Sequence, residues 1–323
     1  MLGERNRYLD VLKGVAILIV VFGHSLQSAN GMVPNLPVQQ IIMTFWMPLF
    51  FLVAGYTDGM TNGGSGLGSK ILRLLVPYLI WSQVVFAYDL YCGQPYTVVG
   101  HLNSTVNSGF WFLRMLFMCW FSCYVYRKVS WLLKDCWQCV KVLGSGATMV
   151  MVAFLLGGET IAHYLPLYLL GIAVFRVLVD IKLRFRRYIM IGGAAVFVIE
   201  AVAMLNVQNA LIARILDLSM SITGSLSVCL VVMVLERVKW CSPFLAYCGR
   251  QSLGVYAVHW CLLFYMNPLR MHSLVVRGVN VYLVALIGFV GWTLICLFLI
   301  MLFGRIDALN RYLLGNKGRR RGE

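Results

Sequence analysis

The sequence predicts an all-α, polytopic integral membrane protein of about ten transmembrane helices, and three observations carry that prediction. Hydrophobic residues make up 60% of the 323 and charged residues 12%, about half the roughly 25% charged share of a soluble domain. The mean hydropathy is +0.80. The apolar residues fall in runs of about 20, the length that crosses a hydrocarbon core as a helix, and not in the short alternating segments of a transmembrane barrel. Together these exclude a soluble enzyme, a disordered chain and a disulfide scaffold.

In chain order the spans are expected near 9–27, 38–57, 71–91, 109–126, 140–156, 160–178, 188–206, 211–235, 249–266 and 279–303. The first follows a basic start, as a cleaved leader would. Asp10 and Lys13 interrupt it and no small-residue cleavage site follows, so it reads as a retained helix. The third span holds Arg73 and Pro77, and the sixth holds Pro166; such breaks are tolerated where neighbouring helices satisfy the freed backbone. No internal repeat is visible, and residues 1–323 read as one transmembrane domain.

The basic residues punctuate the spans and set their orientation. Of 27 Lys and Arg, three (Arg214, Arg270 and Arg277) fall on outer segments if the N-terminus is inside, and Lys13 and Arg114 lie within spans. All the others are inner, which is the positive-inside pattern and predicts two cytoplasmic termini in a cell (inner or plasma) membrane. The net charge of +15 is therefore a topological signal. A nucleic-acid binder would gather it on one folded surface. Cys119, Cys123, Cys229, Cys261 and Cys296 lie inside apolar runs, where cysteine behaves as a small hydrophobe. Cys136-x-x-Cys139 has no second pair and no nearby histidine, so no metal is expected.

Ionisable groups inside spans are costly and mark function by default. The first span carries Asp10, Lys13 and His24. Eleven residues separate Lys13 from His24, which places them on one helical face, about 16 Å apart along the axis, with Asp10 near the same face. Asp89, Arg114, His163, Glu200 and Asp217 fall at outer-half depth and His259 near the midplane. They describe either a polar chamber opening outward or charge pairs locking helices, such as Arg114 with Glu200 or Asp217. On the inner side, the Gly/Ser-rich loop from Thr61 to Ser69 leads into Lys70 and Arg73, one helical turn apart. This is an anion site or a plain linker with two anchoring cations. The outer loop from Cys92 to Ser108 is uncharged and polar, with His101 among its residues. Trp111 and its aromatic neighbours follow, as an interfacial belt or as stacking partners for sugar faces.

Several segments, taken in order, resemble acyltransferase family 3, which includes bacterial O-acetylases of surface polysaccharides and Nod factors. Arg7-Tyr-Leu-Asp10 through Lys13 to His24 resembles the family's opening motif of a basic residue, ten residues and a histidine. Phe45-Trp-Met-Pro48 through Phe50-Phe51 to Gly55 is similar to its second-helix motif, with Ala54 where serine is usual. Lys70-Ile-Leu-Arg73 with Pro77-Tyr78 is similar to its Arg-x-x-Arg motif, with lysine in the first place. Phe110-Trp111-Phe112-Leu113, Leu165-Pro166 to Gly171, and Ser252-Leu253 through Tyr256 to His259 complete the pattern, which spans residues 5 to about 260.

The resemblance implies a membrane O-acyltransferase of ten helices and a reaction. An acyl group, usually acetyl from acetyl-CoA, passes to a hydroxyl, usually of a carbohydrate such as an exopolysaccharide or a lipid-linked sugar. Acetyl-CoA enters as a donor substrate, and no bound cofactor is expected. His24, with Lys13 and Asp10, becomes the catalytic group, as general base or as acyl carrier. Lys70 and Arg73 suit the donor's phosphates, and Arg114, Trp111, Glu200 and His259 are candidates for the acceptor side. The rival reading is a transporter or flippase for a glycan or small solute, since midplane charges and broken helices suit that class too.

Overall fold

The computed structural model describes residues 6–33, 35–61, 66–93, 95–101, 109–180, 183–262 and 268–316. Among them there are helices and turns and no strand. We number the helices α1 (Arg7–Ala29), α2 (Pro37–Met60), α3 (Leu67–Tyr91), α4 (Trp111–Leu132), α5 (Gln138–Asp180) and α6 (Leu183–Met204). There follow α7 (Ala210–Leu235), α8 (Ser242–Arg250), α9 (Ser252–Trp260), α10 (Pro268–Val276), α11 (Val281–Phe303) and α12 (Asp307–Tyr312). Six are long and apolar enough to cross a membrane: α1, α2, α3, α6 from Arg187, α7 and α11.

Two elements differ from the expected spans. The fifth and sixth spans lie in one helix of 43 residues, α5. The break expected between 156 and 160 holds Gly157 and Gly158, and a glycine weakens a helix by about 1 kcal/mol relative to alanine without ending it. The ninth span is broken at Gln251 (φ −97, ψ 9), where α8 ends and α9 begins.

Local chemistry explains the helix ends and breaks. Asn6, Asn209 and Asn280 cap α1, α7 and α11 by accepting first-turn amide protons, a role asparagine fills well. Pro48 sits inside α2 and has no N–H to offer the carbonyl of Thr44, four residues earlier. The Ser221 hydroxyl of α7 donates to that carbonyl at 2.8 Å, as expected where a neighbouring helix must satisfy freed backbone. Pro77 likewise leaves the Arg73 carbonyl without its usual donor, and the chain relaxes into a π-helical turn over Ile71–Leu75. Such turns are frequent at functional sites.

The helices are arranged around α1. Val11, Ile17, Val20, Val21 and Leu26 of α1 are fully buried, whereas α11 leaves Leu286, Ile287, Leu294 and Phe298 exposed. In water such a surface would be an aggregation hazard; facing lipid it is solvated. One contact fixes the geometry of the site. A Cβ on Gly14 would lie 1.9 Å from the Leu245 carbonyl oxygen, and one on Gly249 would lie 1.8 Å from that of Asp10. Only two glycines let α1 and α8 touch backbone to backbone. That contact sets Arg250 beside Asp10 and Lys13, and α9 then runs alongside α1 in the same direction.

Candidate functional site

A cavity of about 290 Å³ lies at the Asp10 end of α1. Its polar wall is made of Asp10 and Lys13 from α1, Asp58 from α2, Lys70 and Arg73 from α3, Arg250 from α8, and Asn316. Its apolar wall includes Ile17, Phe112, Trp120 and Tyr256. Four cations thus meet two carboxylates, and one of these, Asp58, is already held by Arg127 at 3.1 Å. The surplus is positive, and the low-dielectric wall focuses it. Lys70 extends over the Trp120 ring, its Nζ 5.4 Å from the centroid, a cation–π contact that fixes the ammonium against the cavity wall.

The C-terminal segment closes this end. Trp81 donates its indole N–H to the Leu313 carbonyl at 3.0 Å, and Leu314 is buried. Gly315 takes φ +64, a left-handed conformation that glycine adopts without penalty. It comes to rest against the Arg73 carbonyl, the one Pro77 cannot serve. Asn316 is thereby turned to the cavity.

His24 sits beyond the apolar end. Ile17 lines the cavity and precedes His24 by seven residues, about 10 Å along the helix. Tyr256, also lining it, has its ring 5.8 Å from that of His259, and its hydroxyl donates to the Gly109 carbonyl at 2.8 Å. His24 Nδ1 is 3.0 Å from His259 Nε2, and His259 Nδ1 is 2.8 Å from the Val255 carbonyl oxygen. Both histidines are buried. Two tryptophans flank His24, Trp46 with ring centroids 4.6 Å away and Trp260 at 5.2 Å. The Trp260 indole lies close against Gly109, where a Cβ would come within 1.7 Å of it.

The structure brings Asp10, Lys13, Lys70 and Arg73 around one cavity and pairs His24 with His259. It does not gather the other expected groups with them. Both Glu200 carboxylate oxygens accept hydroxyl protons from α7, one from Ser219 and one from Thr223 at 2.6 Å. Glu200 therefore ties α6 to α7. Arg114 lies within electrostatic reach of Tyr78, and His163 within that of Asp217. These groups make their own pairings, and Tyr164 lies within electrostatic reach of Asp217 as well. Trp111 packs against Tyr164, ring centroids 5.3 Å apart, and against Phe112. Residues 62–65 of the Gly/Ser loop and 102–108 of the outer loop lie outside the described residues.

Asp58, Trp120 and Asn316 join the cavity without having been singled out from the sequence, and Arg250 and Tyr256, met there as a topological charge and as part of a motif, join it too. Asp58 carried a usable signal, a carboxylate closing an apolar run.

A family model described as an acyltransferase domain matches residues 6–302. The chain belongs to this acyltransferase family. The nodulation protein NolL of Sinorhizobium fredii is 33% identical over 95 residues, covering 26% of this chain and 25% of the relative. NolL of Mesorhizobium japonicum is 31% identical over 94 residues, with the same coverage. The chain thus matches about a quarter of the length of these curated relatives. No solved structure matches it. The all-helical architecture, its six apolar helices and the family together mark a multi-pass membrane protein of the acyltransferase class.

Proposed function

We propose that this protein is a membrane O-acyltransferase that moves an acyl group, acetyl in the simplest case, from acyl-CoA to a carbohydrate hydroxyl. The acceptor would be an exopolysaccharide unit or a lipid-linked sugar. The reading rests on one observation: the cation-lined cavity and the paired His24 share a single helix and are separated by a short apolar stretch. In it, the nucleotide phosphates of the donor meet Lys13, Lys70, Arg73 and Arg250, where charge-assisted hydrogen bonds are strongest. The thin pantetheine arm passes Ile17, Phe112 and Tyr256 and carries the thioester carbonyl to His24. The ten-span reading, with this end of α1 on the cytoplasmic side, puts the cations where acyl-CoA is made.

His24 then acts as a general base. Its Nε2, the nitrogen not engaged with His259, takes the proton of the acceptor hydroxyl. The oxygen attacks the thioester carbonyl, the C–S bond breaks, and the departing CoA thiolate recovers the proton from the imidazolium. A histidine that carries the acyl group covalently would use the same nitrogen.

The test is transfer from radiolabelled acetyl-CoA by purified protein in nanodiscs, with cell-surface glycans of the source cell as acceptors. Label should reach the glycan, and His24→Ala should abolish transfer while the protein still inserts and accumulates. Solute flux without label transfer would favour a transporter, and near-wild-type transfer by His24→Ala would remove that residue from the mechanism.

A further inference from the structure

We propose that His259 is a positioning residue that fixes His24 in a single tautomer, with its proton on Nδ1 and its lone pair on Nε2. The inference deepens the acyl-transfer reading and rests on it for its catalytic meaning. Its structural content follows from hydrogen-bond bookkeeping alone.

A backbone carbonyl only accepts. The 2.8 Å contact between His259 Nδ1 and the Val255 carbonyl therefore requires a proton on that nitrogen. A neutral imidazole carries one N–H, so the other nitrogen of His259, Nε2, presents a lone pair. That lone pair faces His24 Nδ1 at 3.0 Å. The contact is a hydrogen bond only if His24 Nδ1 bears the proton. His24 Nε2 is then the basic nitrogen, and the polarity of the whole chain is set by one carbonyl of α9. His259 has 0% exposed surface, and an unpaired imidazolium in such a place would cost several kcal/mol, so the neutral assignment holds.

The scaffold is built to keep this arrangement. His259 and Val255 stand one turn apart on α9, so the first link is internal to one rigid element. Tyr256, on the same turn, is fastened to the Gly109 carbonyl at 2.8 Å, which fixes the rotation of α9 about its own axis. Trp46 and Trp260 restrict the ring of His24. The Nδ1–H tautomer is the less populated one for a free histidine side chain, so it needs a partner that only accepts at that position. His259 touches neither donor nor acceptor in this scheme; it acts through His24, as a buried orienting group does in other acyl-transfer sites.

The experiment has two readouts. Protein labelled with 15N on its histidine rings is reconstituted in detergent micelles, and long-range 1H–15N correlations report which nitrogen of each ring is protonated. The chain has five histidines, and His24→Gln and His259→Gln assign the two signals. Both rings should be Nδ1-protonated in the wild type. In His259→Leu the His24 signal should move toward the Nε2–H form, with kcat lowered about 100-fold, the scale of a misplaced catalytic group, and KM for acetyl-CoA unchanged. His259→Gln should restore most of kcat, since its carboxamide can donate to Val255 and accept from His24. An Nε2-protonated His24 in the wild type would overturn the proposal, and so would wild-type kcat in His259→Leu. If wild-type protein shows no acyl transfer at all, the enzymatic reading fails, while the tautomer measurement still decides the structural claim.

Discussion

Gly109→Ala is the sharpest perturbation that the geometry offers. The added methyl carbon would stand 1.7 Å from Trp260 Cε2 and 1.9 Å from its Nε1, against a normal carbon contact of about 3.5–4.0 Å. The obstructing group is a rigid indole, so relief requires it to move by about 2 Å, and its centroid lies 5.2 Å from that of His24. Overpacking of this kind costs about 1–3 kcal/mol. Trp260→Ala should cost about 3 kcal/mol, the low end for a large aromatic because this ring is only partly buried. In the double variant the methyl has no indole to strike, so the combined loss should fall short of the sum by about 1–3 kcal/mol. Thermal unfolding of the four proteins in nanodiscs measures that coupling. Transfer assays on the same samples should show Gly109→Ala about 100-fold slow, because an ångström of displacement at a catalytic ring is worth that much. Additivity within about 0.5 kcal/mol would mean that the Gly109–Trp260 contact does not exist, and the description of the His24 surroundings would have to be withdrawn.

Other expectations follow from the cavity and from the pairings away from it. Arg73→Ala and Arg250→Ala should each raise KM for acetyl-CoA about 10-fold, the lower range of a lost charge-assisted bond, with a weaker dependence on salt; kinetics at two ionic strengths checks this. Glu200→Gln should lower the melting temperature by a few degrees and leave turnover within about twofold, because its carboxylate serves α7 hydroxyls; a large loss of transfer would return it to the acceptor site. For the Asp58–Arg127 pair the two truncations should differ. The Asp58 side chain is 2% exposed and that of Arg127 34%, so Arg127→Met strands a buried carboxylate while Asp58→Asn leaves a cation that can turn toward solvent. Melting temperatures should fall further for Arg127→Met, and the reverse order would contradict the placement of the pair.

Part of this site is legible in the sequence because it is local. Lys13 and His24 share a face of α1 by simple helical periodicity, and Lys70 and Arg73 announce themselves as cations at the end of an apolar run. What depends on tertiary contact is not legible. His24 and His259 are 235 positions apart, and nothing in either neighbourhood encodes the hydrogen bond between them. Depth arithmetic gives height in the membrane but not direction around a helix, which is why Glu200, set at the same height as Arg114, faces α7 hydroxyls instead. Arg250 reads as a topological charge until Gly14 and Gly249 bring its helix onto α1. The extent of α5 is missed for a different reason: hydropathy divides a chain into runs of spanning length, and it does not decide where a helix inside a packed assembly stops.

The position of Asn316 has a consequence for biogenesis. The vestibule that gathers the cations is walled by residue 10 at one extreme and residue 316 at the other, so it cannot be finished while the chain is still on the ribosome short of that point. A polypeptide that stops short of residue 313 presents an unplugged mouth at the Asp10 end of α1, with the Gly315 contact to the Arg73 carbonyl and the Trp81 hydrogen bond to Leu313 both missing. Competence would then be acquired only once residues 313–316 have been delivered to the cavity.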